Sequence, residues 1–169
     1  MTYIEFLIRA KNQYNLHSPY VFNLYQQVLN TRLQRDKIGI VLSGKQHRII
    51  YKIANTFRPH NVYIGTTAPS HIATIVAHAT QHNVTIVSTP TLHTIDLAII
   101  NNIDEWKQIS EYIDPQSIVL WLQPHKNSLA ESQFATFVAD NKVKVSLDMY
   151  HIAIAVFLPQ LHKEHYMLR

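Results

Sequence analysis

The chain has 169 residues, of which 47% are hydrophobic and 15% charged, a composition typical of a single globular domain with a buried core. It has no cysteine, which excludes disulfide bridges and zinc–thiolate sites. We find no long apolar run and no small-residue cleavage site at its start, and therefore expect no signal peptide, no membrane segment and a cytoplasmic location.

The formal net charge of +4 is unevenly distributed along the sequence. In the segment 32–58, basic residues far outnumber the one acid, Asp36, whereas acids predominate between Asp96 and Asp140. A basic segment can attract phosphate-bearing ligands or nucleic acid. No nucleic-acid motif accompanies it, and its only aromatic residues are Tyr51 and Phe57, so we predict a solvated helix face and no nucleic-acid partner.

Helical spacing of apolar residues dominates the first third of the chain. It predicts helices over Thr2–Tyr14, Pro19–Leu29 and Lys45–Phe57, the second of them capped by Ser18. The short apolar segment Ile38–Ser43 fits either a strand fragment or a loop. We therefore predict one domain over residues 1–169, in which a helical N-terminal extension, 1–58, precedes an α/β core, 59–169.

Strands and helices alternate through the core. The predicted strands are short apolar runs at Asn61–Gly65, Val84–Val87, Ile95–Ile100 and Ile118–Leu122. One predicted helix begins near Pro69 and Ser70. Two more cover Asp104–Tyr112 and Ser128–Val138, the second with Leu129 facing inward. Val143–Asp148 and Ile152–Phe157 form a predicted antiparallel hairpin, followed by a mixed polar tail. This order predicts an α/β three-layer sandwich with a mostly parallel sheet.

A candidate binding loop lies in the stretch NVYIGTTAPSHIATIVAHA, which begins at Asn61. A strand leads through Gly65 into a helix, and the free N–H groups of such a helix start can bind a ligand. A single glycine after a strand is also typical of an ordinary strand-to-helix turn, and that interpretation stays open.

The segment AKNQYNLHSPYVFNLYQQVL and the ending VKVSLDMYHIAIAVFLPQLHKEHYMLR resemble a bacterial family of class I S-adenosylmethionine-dependent methyltransferase-like proteins. The resemblance covers nearly the whole chain and implies a Rossmann-like methyltransferase fold, in which IDLAII is the fourth strand and SIVLWLQ the fifth. It also implies S-adenosylmethionine as a cofactor. The positions that would bind it are Gly65, Thr66, Thr67, Ala68, Ser70, Ser88, Asn101 and Asn102.

The chain departs from the family wherever an acid would bind the cofactor. Tyr63-Ile64 precedes the glycine, Pro69 stands near the second glycine's position, and Val87-Ser88 ends the second strand. Asn101-Asn102 follows the fourth strand, and Gln123-Pro124-His125 follows the fifth. We therefore expect cofactor binding to be weak or lost, and His125 remains the one candidate for a catalytic base.

The segment Ser88–Thr94 indicates a deletion. It has about seven residues, whereas a crossover that contains a helix needs at least ~10–12. The family's third strand is therefore predicted to be missing, and the crossover to be extended.

Four functions remain open on the sequence. We favour a non-catalytic methyltransferase-like binding or assembly module, for which a homodimer is a natural form. The alternative is an active methyltransferase acting on a small molecule or a macromolecule. Nucleic-acid binding through residues 32–58 and a metal site at His71, His78 and His82 are weaker interpretations, and we predict no bound metal.

Overall fold

The computed structural model describes residues 1–11, 18–33, 40, 42–81, 84–89 and 94–169. His82 and part of the segment Ile38–Ser43 lie outside the described residues, so the predictions made for them are not tested. The described helices are α1 (Tyr3–Arg9), α2 (Pro19–Leu24), α3 (Gly44–Phe57), α4 (His71–Thr80), α5 (Ile103–Ile109) and α6 (Ser128–Ala139). A π-helical turn, Tyr25–Leu29, extends α2, and a 3-10 turn, Ser110–Tyr112, extends α5.

The described strands form one seven-stranded sheet in the order β2-β1-β3-β4-β6-β5-β7. They are β1 (Asn61–Ile64), β2 (Thr85–Val87), β3 (Ile95–Ile100), β4 (Ile113–Leu122), β5 (Val145–Asp148), β6 (Ile152–Val156) and β7 (Glu164–Met167). Strands β2, β1, β3 and β4 run parallel, and β6 is antiparallel to both β4 and β5. The predicted mostly parallel sheet with a C-terminal hairpin is confirmed.

Two apolar layers cover the two faces of the sheet. On one face α3 and α4 pack Ile50, Ile53 and Ile72 against the sheet, and all three are fully buried. On the other face α5 and α6 contribute Trp106 and Phe137, with ring centroids 4.9 Å apart. Because both faces are covered, the central strands β3 and β4 contain the buried apolar runs Leu97–Ile100 and Ile118–Leu122, as expected for a three-layer sandwich.

The connection between β2 and β3 spans Ser88–Thr94, as predicted. Because β1 lies between these two strands, the connection must pass across β1. In the described part of the chain β2 is the edge strand on this side, which agrees with the predicted loss of a third strand. The path of residues 90–93 lies outside the described residues.

Several local predictions were wrong. The tail contains β7, which pairs in parallel with β5. The strand predicted at Ile118–Leu122 begins earlier, because residues 113–117 also belong to β4, with an irregularity in its pairing with β3. Leu129, predicted to face inward, is 65% exposed. None of the described helices is long and apolar enough to span a membrane.

The N-terminal helix packs beside the end of the sheet. Thr2 and Glu5 form a capping box at the start of α1, and Phe6 is almost completely buried. Beyond α1, Lys11 donates its backbone N–H to Met167 O (2.8 Å), which places this segment beside β7. The helical extension is therefore part of the packed structure rather than a separate arm.

Candidate functional site

The candidate loop and the residues after β3 meet at one edge of the sheet. Ile64 of β1 pairs with Ile99 of β3 in parallel, so the carboxyl ends of the two strands lie side by side. Gly65 donates its N–H to Ile99 O (2.8 Å), and Ala68 then donates to Gly65 O (3.0 Å), which closes the turn before α4. This edge is where open α/β sheets bind ligands.

Three of the predicted binding residues form direct contacts with one another. The Thr67 hydroxyl lies 2.6 Å from Asn101 Oδ1, and Asn102 Nδ2 donates to Thr67 Oγ1 (3.3 Å). Asn102 also caps α5, because its Oδ1 accepts the Glu105 N–H at 2.9 Å. The segment after β1 and the segment after β3 therefore meet at this edge.

Glu105, which was not predicted as a site residue, lies at the centre of these contacts. It is only 4% exposed. Its Oε2 accepts the Asn101 N–H (3.1 Å), and its Oε1 accepts the Thr67 N–H (3.3 Å) and lies 2.8 Å from the Thr67 hydroxyl. We call Thr67, Asn101, Asn102 and Glu105 the Glu105 network.

Gly65 is the residue that makes room for this carboxylate. A Cβ at this position would lie 2.3 Å from Glu105 Oε2, closer than any real contact. The glycine is therefore explained by the approach of the chain's own side chain, without reference to a ligand. The spacing Asn102-x-x-Glu105 is a helix-start signature, and it is the sequence signal that could have drawn attention to Glu105.

The remaining predicted binding residues lie around this network without joining it. Thr66 and Ser70 are exposed, and the Ser70 side chain makes no capping hydrogen bond at the start of α4. Ala68 is half-buried. Ser88 is exposed and follows β2, on the far side of β1 from Asn101.

His125 has both ring nitrogens in contact with carboxylates. Nε2 lies 2.6 Å from Asp148 Oδ2, and Nδ1 lies 3.1 Å from Glu131 Oε1. Burial would lower the pKa of His125, but the hydrogen bonds and negative charges of Asp148 and Glu131 outweigh it, and the pKa is raised. A protonated imidazole held in this way has no free nitrogen with which to accept a proton from a substrate.

Aromatic rings enclose the same histidine. The Tyr150 ring stacks on it with centroids 5.2 Å apart, and Phe6 of α1 lies 5.7 Å away. The Met1 ammonium contacts Glu131. His125 therefore joins α1, α6 and the β5–β6 turn, which is a structural role.

Of the histidines proposed for a metal site, His71 and His78 are described, and His82 lies outside the described residues. His71 Nε2 lies 2.8 Å from His47 Nε2 of α3, while His78 is half-buried and its Nδ1 has no partner among the described residues. Over residues 1–11, 18–33, 40, 42–81, 84–89 and 94–169, no group of three or more potential ligand side chains is arranged to hold a metal ion.

The fold is that of class I methyltransferases. The structure of the methyltransferase PaMTH1 from Podospora anserina, bound to S-adenosylhomocysteine, has a TM-score of 0.53 and 10% identity over 86% of this chain and 91% of that one. A methyltransferase from Geobacter sulfurreducens has a TM-score of 0.52 and 10% identity over 85% of this chain and 91% of that one. No protein-family model and no curated protein sequence matches the chain. At this level of identity the similarity concerns the fold alone.

Proposed function

We propose that the protein is a methyltransferase-like binding or assembly module that does not transfer methyl groups. One observation carries the proposal: the Glu105 carboxylate accepts the backbone N–H of Thr67 in the candidate loop and that of Asn101, which follows β3. In a functioning loop such N–H groups would be free for an anionic group of the ligand. Here the chain supplies the anion itself.

Charge strengthens this argument. S-adenosylmethionine carries an ammonium and a sulfonium group as well as a carboxylate, and its carboxylate could not accept the Thr67 and Asn101 N–H groups while the Glu105 carboxylate holds them, since the two like charges would repel each other there. The residues at the other expected cofactor positions, Ser88, Asn101 and Asn102, are neutral and offer no replacement for the missing acids. His125 supplies no base, because both of its nitrogens contact carboxylates.

The alternative is an active S-adenosylmethionine-dependent methyltransferase. It is favoured by the fold and by the solved neighbour from Podospora anserina, which is bound to S-adenosylhomocysteine. It requires Glu105 to leave the loop, or the cofactor to bind beside the exposed Thr66 and Ser70.

Calorimetric titration with S-adenosylmethionine and with S-adenosylhomocysteine tests the proposal. We expect no heat of binding and no thermal stabilisation of the wild-type protein at millimolar ligand. Glu105→Ala empties the loop, and Glu111→Gln is the matched control because Glu111 is exposed and lies just beyond the same helix. Micromolar binding by the wild type that Glu111→Gln leaves unchanged would overturn the proposal.

Self-association remains a prediction. The most exposed large apolar side chains of α1 are Ile4 (71%) and Ile8 (80%), which lie one turn apart on the same face. Light scattering on wild type and Ile4→Ser tests this: a dimer that the substitution dissociates supports an assembly role, and a monomeric wild type contradicts the homodimer.

A further inference from the structure

A small cavity lies between α3, the π-helical turn and the carboxyl ends of β5 and β7. Its volume is about 90 Å³, which exceeds the roughly 10–15 Å³ needed for one water. The lining residues are Tyr25, Leu29, Lys45, Arg48, Ile49, Lys52, Met149, Leu168 and Arg169. It is separate from the Glu105 network, none of whose members lines it.

Four cationic side chains converge on this cavity. Lys45, Arg48 and Lys52 are spaced three and four residues apart in α3, so they lie on one face of the helix. Arg169 reaches the cavity from the segment after β7. The basic segment noted in the sequence therefore directs three of its residues to one enclosed space.

None of these four side chains forms an ion pair in the described part of the chain. Lys52 instead donates from Nζ to Leu29 O at 2.6 Å. Burial and the neighbouring charge of Arg48 lower the pKa of both Lys45 and Lys52. Like charges held together in a partly desolvated space favour the binding of an anion that neutralises them.

We propose that this cavity binds a phosphate group, either as free phosphate or as the head of a small phosphate monoester. The planar guanidinium of Arg48 suits two parallel hydrogen bonds to phosphate oxygens, and the lysines add point charges. The apolar lining residues would pack against the organic part of an ester: Tyr25, Leu29, Met149 and Leu168. The site goes beyond the proposed function and does not depend on it.

The enclosure favours one phosphate over a nucleic-acid strand. A strand needs an open groove with aromatic side chains on which bases stack. Tyr51 is only 5% exposed, and Phe57 lies at the opposite end of α3 from Lys45. The experiment must therefore distinguish binding of one phosphate in the cavity from binding of a nucleic-acid polymer to the surface of this segment.

The test is a titration of the protein with inorganic phosphate and with phenyl phosphate, in which ³¹P NMR detects binding of each probe. Thermal melting in either probe, against chloride at equal ionic strength, gives a second readout. The variants are the double substitution Lys45→Gln/Arg48→Gln and the single Arg48→Lys. Lys107→Gln is the control, because Lys107 is 69% exposed on α5 and the substitution removes one positive charge away from the cavity.

We expect both probes to bind and to raise the melting temperature of wild type and Lys107→Gln. Arg48→Lys should weaken binding by about tenfold, and the double variant should abolish it. The double variant should fold, because it removes like-charge repulsion; if it does not, Arg48→Lys decides alone. Tighter binding of phenyl phosphate assigns the site to monoesters, and equal binding assigns it to free phosphate.

Two results would overturn the inference. One is the absence of any shift or stabilisation in wild type, or an equal stabilisation in the double variant, which would reflect a general salt effect. The other is binding of a single-stranded oligonucleotide that depends on Lys45 and Arg48 while neither small probe binds. Neither result affects the S-adenosylmethionine titration, so the two proposals fail separately.

Discussion

The carboxylate of Glu105 lies directly against the Cα of Gly65, where a Cβ would approach Oε2 to 2.3 Å. Gly65 lies in the connection after β1, Glu105 lies in the first turn of α5, and each explains the other. The glycine allows the carboxylate to reach the N–H groups of Thr67 and Asn101, and the carboxylate makes the glycine necessary.

Gly65→Ala should lower the free energy of unfolding by about 1–3 kcal/mol, because the added methyl group displaces the buried Glu105 carboxylate. Urea denaturation measures the loss. In a Glu105→Ala background the same substitution should have a much smaller effect, since the clash is gone. Equal losses in both backgrounds would show that the contact does not constrain Gly65.

Glu105→Gln should destabilise the protein by roughly 1–3 kcal/mol, because the amide nitrogen replaces one of the two oxygens that accept backbone N–H groups. Thermal melting and denaturant titration both measure this effect. The exposed Glu111→Gln should change the free energy of unfolding by no more than about 0.5 kcal/mol. A similar loss in both variants contradicts the central role of Glu105.

Tyr63→Phe should leave the protein as stable as wild type, or raise the free energy of unfolding by about 1 kcal/mol. The Tyr63 ring is fully buried, and its hydroxyl has no hydrogen-bond partner among the described residues. An unsatisfied buried hydroxyl disfavours folding, so its removal relieves that penalty. A clear loss of stability in differential scanning calorimetry would reveal a partner for this hydroxyl.

His125→Gln should remove a stabilisation that depends on pH. Because the folded-state pKa of His125 is raised, its contribution is complete below the unfolded-state value of about 6.5 and is lost as the pH rises through the folded-state pKa. The variant should therefore lose roughly 1.5–3 kcal/mol at about pH 5.5 and less at about pH 8.5.

The difference between wild type and variant at each pH is the quantity to compare, measured by urea denaturation. Burial, together with the charge of His71, lowers the pKa of His47, and burial lowers the pKa of His165. These two histidines therefore affect the free energy of unfolding in the opposite direction from His125: their contribution is complete above the unfolded-state pKa and is lost as the pH falls. Asp148 and Glu131, which face His125, set the sign of its own contribution. A difference that is constant with pH contradicts the assignment of a charged His125.

The sequence predicted the parallel half of the sheet because burial on both faces gives its strands a recognisable composition. Leu97–Ile100 and Ile118–Leu122 are continuous apolar runs, and they lie in β3 and β4. β7 was missed because it is an edge strand in which only Tyr166 is buried, so neither alternation nor an apolar run is visible. Edge strands carry little pattern of their own.

The candidate site was predictable in its backbone but not in its side chains. Parallel pairing of β1 and β3 brings Gly65 and Asn101 to one edge, and this follows from the order of the elements. Glu105 was not predicted because the family's acids precede the glycine or follow the ends of strands, whereas Glu105 lies inside helix α5. The partners of His125 come from α6 and β5, and no spacing in the sequence joins them.

Close to both chain ends, Lys11 pairs with Leu168 beside β7. During synthesis the N-terminal segment leaves the ribosome first, but its position in the sheet does not exist until residues 164–168 have followed. In the folded protein Phe6 of α1 is buried against Tyr150. Until those later residues have been synthesised, this apolar side chain stays uncovered. Docking of the segment around Lys11 must therefore follow the synthesis of residues 164–168, and until then its neighbouring apolar residues are open to aggregation.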